Sequence, residues 1–138
     1  MTPEEARSRF VDARVAHLAT ADAEGIPHIV PITFALEADR IYTAVDAKPK
    51  RSGALRRFEN VAANPRVSVL VDHYDADWSR LWWARADGSA SVVSSGATFE
   101  HALALLRARY PQYAETELIG PAMVIRVARW SGWSASIV

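Results

Sequence analysis

Three cations crowd into four positions of one short stretch, and together they could bind a phosphate. Lys48, Lys50 and Arg51 separate a strand-like run that ends at Val45 from a helix-like run that starts near Ser52. The first turn of a helix has free backbone N–H groups and the positive end of the helix dipole, and both favour an anion. On charge alone, a solvated surface loop is the simpler explanation, because basic runs usually face water. The neighbouring elements must decide between the two.

Length and composition indicate one globular domain over residues 1–138. Half of the residues are hydrophobic and the formal net charge is zero, so any basic binding surface is local. The chain has no cysteine, which excludes disulfides, thiolate metal sites and cysteine nucleophiles. The first ten residues carry four charges, and no apolar run approaches the roughly 20 residues of a membrane span. We therefore expect a cytoplasmic protein without a membrane or nucleic-acid partner.

The segments before the basic stretch predict a helix and an antiparallel hairpin. A capping box with proline at the first helical position predicts a helix over Pro3–Asp12. Alternating strand-forming residues predict a hairpin of residues 14–21 with residues 26–36. Pro27 and Pro31 lie inside the second strand, where each removes a ladder donor. We expect that strand to be an edge strand, bulged or split.

The remaining elements follow from apolar periodicity, which separates helices from strands. Asp87-Gly88 inside a run of strand-forming residues indicates a bulge in one long strand. In chain order we predict a strand at 40–45, a helix at 52–64, a strand at 66–72, the bulged strand over 81–93, a helix at 98–110 and a strand at 123–130. About six antiparallel strands and three helices, without a strand–helix–strand rhythm, predict a mainly β fold: a small barrel with helices over its openings.

Other kinds of active site find little support in the sequence. The four histidines have no zinc-ligand spacing, and no nucleophile elbow, Gly-x-Gly-x-x-Gly or Walker loop occurs. Asp72, Asp75 and Asp77 could chelate a hard cation, but they lack the glycine and the distal glutamate of a calcium loop. A solvated turn explains them better, and we expect no metal site.

Five tryptophans are many for this length, and four of them lie on or beside predicted strands: Trp82, Trp83, Trp130 and Trp133. A tryptophan that packs buries ~150–250 Å². Packing in the core or at a subunit interface explains them as well as the wall of a pocket for a flat aromatic ligand does. Both interpretations stay open.

An ordered set of motifs resembles the pyridoxamine 5'-phosphate oxidase-like (PPOX class) split-barrel superfamily over about residues 13–71. The set comprises Leu18-Ala19-Thr20-Ala21, Gly25-Ile26-Pro27-His28, Val30-Pro31-Ile32-Thr33-Phe34, Ile41-Tyr42-Thr43, Lys48-Pro49-Lys50 with Leu55-Arg56-Arg57, and Asn64-Pro65-Arg66-Val67-Ser68-Val69. The tryptophan-rich stretch that begins at Asp77, with Gly88-x-Ala90 after it, is similar to a subgroup of deazaflavin (coenzyme F420)-dependent enzymes.

The resemblance implies a six-stranded antiparallel split β-barrel that forms a homodimer, with one cofactor in each of two grooves at the interface. The cofactor-binding positions that it implies are Lys50 and Arg51 for the phosphate, with Ser52 nearby and Lys48 in support, and His28, Val30, Pro31 and Thr33 along the ring system and ribityl chain. The resemblance thus favours a binding site over a solvated loop for the basic stretch.

The chain departs from true pyridoxamine phosphate oxidases. It lacks their Arg-x-x-Leu-Leu-Lys flavin-phosphate element and their arginine-containing C-terminal tail, which favours F420 over FMN. We expect an F420-dependent oxidoreductase that transfers a hydride between reduced cofactor and an unidentified small organic substrate. The alternatives are an FMN-binding oxidoreductase and a non-enzymatic flavin or deazaflavin carrier. A small RNA-binding barrel has the basic stretch in its favour and the zero net charge against it.

The catalytic residues stay open at this point, because the cofactor carries the hydride and no acid–base residue is demanded. Tyr42, Tyr74 or His28 could protonate the substrate, and the sequence does not choose among them.

Overall fold

The structure, a computed structural model, describes residues 1–46 and 55–135. Its elements in chain order are α1 (Pro3–Asp12), β1 (Ala16–Ala21), β2 (Pro27–Ile32), β3 (Ala35–Glu37), β4 (Arg40–Asp46), α2 (Arg56–Ala63), β5 (Arg66–His73), β6 (Trp82–Val93), α3 (Ala97–Arg109) and β7 (Leu118–Ser134). Two one-turn 3₁₀ helices, Trp78–Arg80 and Pro111–Ala114, precede β6 and β7. In the described part of the chain, no helix has the length and apolar character needed to cross a membrane.

All strand pairs are antiparallel, and the strands form one sheet in the order β2-β1-β5-β6-β7-β4-β3. β2 and β3 lie at opposite ends of this order, yet only Thr33 and Phe34 separate them in the chain. The sheet must therefore curl until its two ends meet, which makes a split barrel and confirms the predicted fold class.

The barrel has seven strands where six were predicted, because the predicted strand over residues 26–36 is divided into β2 and β3. At the division, both backbone groups of Phe34 bond to the hydroxyl of Tyr110 and not to a neighbouring strand. The split that Pro27 and Pro31 suggested therefore occurs after both prolines. There the Tyr110 side chain, at the C-terminal end of α3, forms the hydrogen bonds that a neighbouring strand would otherwise form.

Two apolar cores lie on the two sides of the sheet. The inner core fills the barrel with residues such as Leu18, Val69 and Ile125, and α1 and α2 close it with Phe10 and Phe58. The outer core lies between α3 and the outward side of β3, β4 and the first half of β7. Helices therefore cover the barrel openings, as predicted, but the third helix covers part of the barrel wall.

A bulge where β6 pairs with β7 changes which residues of β7 point outward. β6 is one long strand and its pairing is irregular at Asp87-Gly88, as predicted, but the unpaired residue is Ala128 of β7. A Cβ on Gly88 would collide with the carbonyl oxygen of Arg126, so the close approach of the strands requires glycine. Beyond the bulge, Trp130 packs against the inner core, so Trp133 lies on the outward face.

The predicted helices agree with the structure where it describes them. α1 has the predicted bounds, and the Thr2 hydroxyl accepts a hydrogen bond of 3.1 Å from the Glu5 N–H. α3 runs over Ala97–Arg109, one residue earlier than predicted at each end. α2 ends before Asn64-Pro65 as expected and begins at Arg56. The start predicted for it at residue 52 lies outside the described residues.

Candidate functional site

β2 is an edge strand, as its two prolines predicted. Within the described residues it pairs with β1 alone and ends the strand order. Alternate residues of a strand direct their N–H groups to opposite edges, and Pro27, Ile29 and Pro31 share one edge. Proline is tolerated on an edge strand when its nitrogen faces away from the paired strand. Pro27 and Pro31 therefore face the unpaired edge, and Ile29, which lies between them on the same edge, supplies the N–H group there. The free edge is therefore rich in carbonyl oxygens and has one donor.

His28, near the start of β2, carries a buried polar atom that suits a ligand. Its Nδ1 is fully buried, and no described residue gives it a hydrogen bond. Buried polar groups are normally paired, because an unpaired one costs about 1–3 kcal/mol. The ring lies in register with Thr20 of β1, whose hydroxyl accepts a hydrogen bond of 3.0 Å from the Asn60 amide of α2. α2 is therefore tied to the sheet beside His28.

Thr33 lies just beyond the other end of β2 and opens into a cavity of about 600 Å³. The described residues that line this cavity are Arg14, Thr33, Arg109, Tyr110, Pro111, Gln112, Tyr113 and Thr116, and they include two arginines and no acidic residue. The Thr33 hydroxyl lies 2.6 Å from the Tyr113 hydroxyl, and the Thr33 carbonyl accepts from the Thr43 hydroxyl at 2.8 Å. The structure therefore does not gather the four predicted residues at one point: Thr33 lines this cavity, Val30 packs against the inner core, and Pro31 lies on the opposite side of β2 from Val30.

Tyr110 builds the back of the cavity. Its hydroxyl accepts a hydrogen bond of 3.0 Å from the Phe34 N–H. The same oxygen lies 2.9 Å from the Phe34 carbonyl and 3.0 Å from the Arg14 carbonyl, and its single proton can serve one of them at a time. One phenol thus holds together the break between β2 and β3 and the segment that enters β1.

The two arginines of the cavity differ in how many of their N–H donors already have partners. The Arg109 guanidinium donates to the Phe10, Val11 and Ala13 carbonyls at the end of α1, and it also lies 4.6 Å from the Phe34 ring centre. This position satisfies carbonyls that a helix end leaves without partners, and the charge suits the negative end of the helix dipole. Arg14 is exposed and donates a hydrogen bond of 3.2 Å to the Arg109 carbonyl. A guanidinium has five N–H groups, so Arg14 retains donors for an anionic ligand.

The predicted phosphate-binding residues, Lys48, Lys50, Arg51 and Ser52, lie outside the described residues. The elements on either side of them are described. β4 ends at Asp46, and α2 begins at Arg56 and contacts β1 next to His28 through the Asn60 hydrogen bond.

The tryptophans, for which two interpretations were open, divide into two groups. Trp82 and Trp130 pack against the inner core, and the Trp130 indole donates to the Asp39 carboxylate at 2.9 Å. Trp83 and Trp133 are cross-strand neighbours on the outward face, and the Trp133 side chain is 47% exposed. Core packing therefore explains the first pair, and the second pair is available to another molecule.

The acidic connection after β5 is a turn, as predicted. The Asp75 carboxylate accepts from the Asp77 N–H at 2.8 Å, and the Asp77 carboxylate accepts from the Ser79 N–H and hydroxyl. The Asp77 backbone hydrogen bond lowers the pKa of Asp75, and the Ser79 hydroxyl and N–H lower the pKa of Asp77.

One possible proton donor is buried in the outer core. Tyr42 is 2% exposed in the outer core, edge-on to His101 beneath α3. Tyr74 and His28 remain accessible in different places. Tyr113 was not predicted as a site residue. A usable signal was the helix end at Tyr110-Pro111 with a second tyrosine three positions after Tyr110.

An antiparallel sheet that closes on itself between β2 and β3, with a cavity beside the closure at Thr33, is the architecture of a split-barrel protein of the pyridoxamine 5'-phosphate oxidase type. The family model described as "Pyridoxamine 5'-phosphate oxidase" matches residues 2–134. The chain belongs to this flavin-binding family, which includes oxidoreductases.

Relatives and solved structures fit this assignment. A 5a,11a-dehydrotetracycline/5a,11a-dehydrooxytetracycline reductase of Streptomyces rimosus is 40% identical over 55 residues, which cover 40% of this chain and 37% of that protein. A FAD-binding protein from Mesorhizobium loti has a similar structure, with a TM-score of 0.69 at 23% identity and coverage of 96% of this chain and 92% of its own. A heme binding protein from Mycobacterium smegmatis has a TM-score of 0.70 at 20% identity and coverage of 96% and 57%.

Proposed function

We propose that this protein is a cytoplasmic oxidoreductase that uses a phosphate-bearing ring cofactor, F420 or alternatively FMN, held along β2. The observation that carries the proposal is the buried Nδ1 of His28, which has no partner in the described residues and lies on the edge strand that leads to the Thr33 cavity. A tight-binding ligand would supply the missing hydrogen bond and the contacts that an edge strand lacks. The reductase among the relatives supports redox chemistry.

The phosphate would be held by Lys50 and Arg51, with Lys48 in support and Ser52 nearby. This part of the proposal rests on the sequence and on the family resemblance. Hydrogen bonds to charged groups are worth about 1.5–3 kcal/mol each. Beside them, His28 and the Ile29 N–H would orient the ring system, and Val30, Pro31 and Thr33 would lie along the rest of the cofactor, as the family resemblance implies.

The Thr33 cavity would hold the substrate. Its volume, about 600 Å³, lies within the range of small-molecule sites. Arg14 would bind an anionic or strongly polar oxygen, and the hydrogen-bonded hydroxyls of Thr33 and Tyr113 hold an exchangeable proton at the cavity wall. The cofactor supplies the hydride when it is bound. The chain then contributes binding, orientation and this proton, and an activated alkene, quinone or nitro compound is a suitable substrate class.

We also propose that the active form is a homodimer. The outward side of β1, β2, β5, residues 82–87 of β6 and residues 129–134 of β7, here called the open face, has no described helix over it. Two of its charges are paired with each other: Asp87 accepts from the Arg85 side chain at 3.0 Å and also from the Ser68 hydroxyl at 2.5 Å, whereas Arg129 is exposed. Ser131 on the same face has a buried hydroxyl without a partner in the described residues. A sheet face without a covering helix, with a buried hydroxyl that lacks a described partner, suits burial against another protein surface.

A retention experiment tests the cofactor. The protein would be incubated separately with FMN, F420 and hemin and then desalted, and the absorbance of the protein fraction would be recorded. We expect a retained deazaflavin or flavin band.

Lys50→Ala should weaken binding at least tenfold in a tryptophan-quenching titration, whereas Arg107→Ala, which removes one exposed charge from α3, should not change it. Equal affinity of Lys50→Ala and wild type would contradict the phosphate assignment.

A non-enzymatic carrier is the second candidate. The heme binding structural neighbour favours testing it, because His28 could ligate iron through an unprotonated ring nitrogen. Turnover separates the candidates. With a regenerating system for the reduced cofactor, only an enzyme should oxidise it above background on a panel of activated alkenes, quinones and nitro compounds. Retention of hemin alone, without flavin or deazaflavin, would replace the oxidoreductase proposal.

A further inference from the structure

A row of exposed polar residues crosses the outward side of the sheet at the margin of the open face. Four adjacent strands contribute one residue each, and each residue is directly opposite the next in the sheet register: Arg66 of β5, Ser89 of β6, Arg126 of β7 and Arg40 of β4. Directly opposite residues project from the same face of a sheet. These four residues, three of them arginines, are here called the arginine row.

The arginine row concentrates positive charge where strand pairing disfavours it. Arg40 and Arg126 are cross-strand partners, and like charges in that position destabilise a sheet. In the described part of the chain, the arginine side chains of the row form no ion pair and no hydrogen bond. An arrangement that costs stability in the free protein points to a function for these charges.

The acidic residues next to the row do not neutralise it. Each of them already has other partners, at distances of 2.5 to 3.8 Å: Glu37 has His101, Asp39 has Trp130 and Arg7, and Asp87 has Ser68 and Arg85. The charge of the arginine row is therefore left for solvent ions or for an anionic ligand.

A shallow hollow opens beside the row, at the bulge between β6 and β7. Its volume, about 450 Å³, lies within the range of small-ligand sites. Arg66 and Ser89 line it, and so does Arg129, a further exposed arginine. Ala128, the unpaired residue of the bulge, also lines the hollow and has too small a side chain to fill it. Asp87 lines it as well, with its carboxylate held by the partners named above.

The spacing of the row lets two arginines reach one ligand. Neighbouring strands lie ~4.8 Å apart, so the backbones of Arg66 and Arg126 are roughly 10 Å apart, with Ser89 between them. Guanidinium groups bind phosphate oxygens through paired N–H donors, and the Ser89 hydroxyl can add another donor. A ligand with neighbouring phosphate groups can therefore contact both arginines above Ser89.

The surroundings favour a small ligand over a nucleic acid. Sites for single-stranded nucleic acid combine a basic groove with aromatic side chains on which the bases stack. No aromatic residue is among the described residues that line the hollow. The zero net charge of the chain also provides no long-range field to attract a long polyanion.

We propose that the arginine row and the hollow form a binding site for a small ligand that carries at least two phosphate groups. Arg66 and Arg129 bind one phosphate group in the hollow, and Arg126 with Arg40 binds the next. The site uses none of the residues assigned to the cofactor phosphate, and the inference does not depend on the proposed function.

Calorimetric titration with sodium tripolyphosphate tests the site in the full-length chain. All proteins would carry Lys50→Ala, which weakens the proposed cofactor-phosphate site. We expect tripolyphosphate to bind this background protein more tightly than inorganic phosphate does. Adding Arg66→Gln and Arg126→Gln together should weaken binding about tenfold or more. Adding Arg107→Gln, which removes an exposed charge from α3, should leave the affinity unchanged.

Three results of the titration would overturn the inference. The first is an affinity that the Arg66→Gln and Arg126→Gln pair leaves unchanged. The second is binding of tripolyphosphate to wild type that disappears in Lys50→Ala, which would place the probe at the cofactor-phosphate site and leave the cofactor proposal intact. The third is a single-stranded RNA oligonucleotide that binds the background protein more tightly than tripolyphosphate and loses affinity in the same variant, which would identify a nucleic-acid surface.

Thermal unfolding distinguishes a binding role from a structural one. In the same background, Arg126→Gln removes a like-charge pair, so without ligand its midpoint should equal or exceed that of the background protein. Tripolyphosphate should raise the midpoint of the background protein, because it binds the folded state, and should raise that of Arg126→Gln much less. A midpoint that falls in Arg126→Gln without ligand and rises equally in both proteins with ligand would show that Arg126 is structural and would overturn the inference.

Discussion

The two halves of the outer barrel wall belong to one continuous sheet, but the chain treats them differently. Over β3, β4 and the first half of β7, α3 buries Leu103 and Leu106 against Tyr42 and Val124. Over the open face, Ile29 and Trp133 remain 64% and 47% exposed. A sheet face gains stability only when something covers its apolar residues. The chain therefore covers one half with its own helix, and this contrast is the basis of our proposal that another molecule covers the other half.

The largest expected effect is a difference in the free energy of unfolding between substitutions in the covered half and in the open face. Leu106→Ala removes a fully buried side chain of the covered half and should lower the free energy of unfolding by about 2–5 kcal/mol. Ile29→Ala, measured on dilute protein below the dimer dissociation constant, should change it by no more than about 0.5 kcal/mol. Urea unfolding followed by circular dichroism measures both. Equal losses would show that the open face is also covered within one chain.

Tyr110→Phe tests the junction between β2 and β3, where the two halves of the wall meet. It removes the hydroxyl that serves the buried Phe34 N–H, which should cost about 1–3 kcal/mol. Tyr74→Phe is the matched control, because it removes a phenol hydroxyl from an exposed residue. Urea midpoints of the two variants and the wild type give the comparison. If both variants unfolded at the wild-type midpoint, the Tyr110 hydroxyl would not hold the barrel closed.

The stability of the protein should also depend on its concentration. If a second copy covers the open face, a tenfold increase in protein adds about 1.4 kcal/mol of stability per dimer, because dissociation accompanies unfolding. The midpoint of thermal unfolding should therefore rise with concentration. The same rise should vanish in Ile29→Glu, which places a charge on the open face. A midpoint independent of concentration in the wild type would leave the open face without a second copy.

The smallest effect concerns the order, in acid, of the turn over residues 74–80 that holds Trp78. The pKa values of Asp75 and Asp77 are lowered in the folded state, so their contribution is present above the ordinary value of 3.8 and is lost as the pH falls below it. We expect the environment of Trp78 to change in that range before the protein unfolds. Difference emission spectra against Trp78→Phe isolate this signal. A Trp78 signal that stays constant until global unfolding would contradict the role of the two carboxylates.

The elements that local chemistry determines could be predicted from the sequence. The helix start at Thr2-Pro3, the edge position of β2 from its prolines and the irregularity at Asp87-Gly88 all depend on neighbouring residues. The division of the predicted strand over residues 26–36 could not be seen, because its cause, the Tyr110 hydroxyl, is 76 residues away from Phe34.

The candidate site divides in the same way. Motif order pointed to β2 and to His28 and Thr33 at or near its ends. The cavity beyond Thr33 was missed, because Arg14 and Arg109 meet there only when the end of α1 packs against the end of α3, a contact across 95 positions of sequence. The open face was missed because the unpaired residue, Ala128, lies on β7. Beyond Ala128, the β7 residues that would otherwise point inward point outward.

The most direct test of the account is sedimentation velocity of cofactor-loaded protein, recorded at the absorbance of the cofactor and of the protein. The account predicts that F420 or FMN sediments with the protein at twice the chain mass of 15.2 kDa, with one cofactor per protomer. Both signals should move to the monomer position in Ile29→Glu, with loss of cofactor. Cofactor that sediments with a wild-type monomer, or a wild-type dimer that carries none, would contradict it.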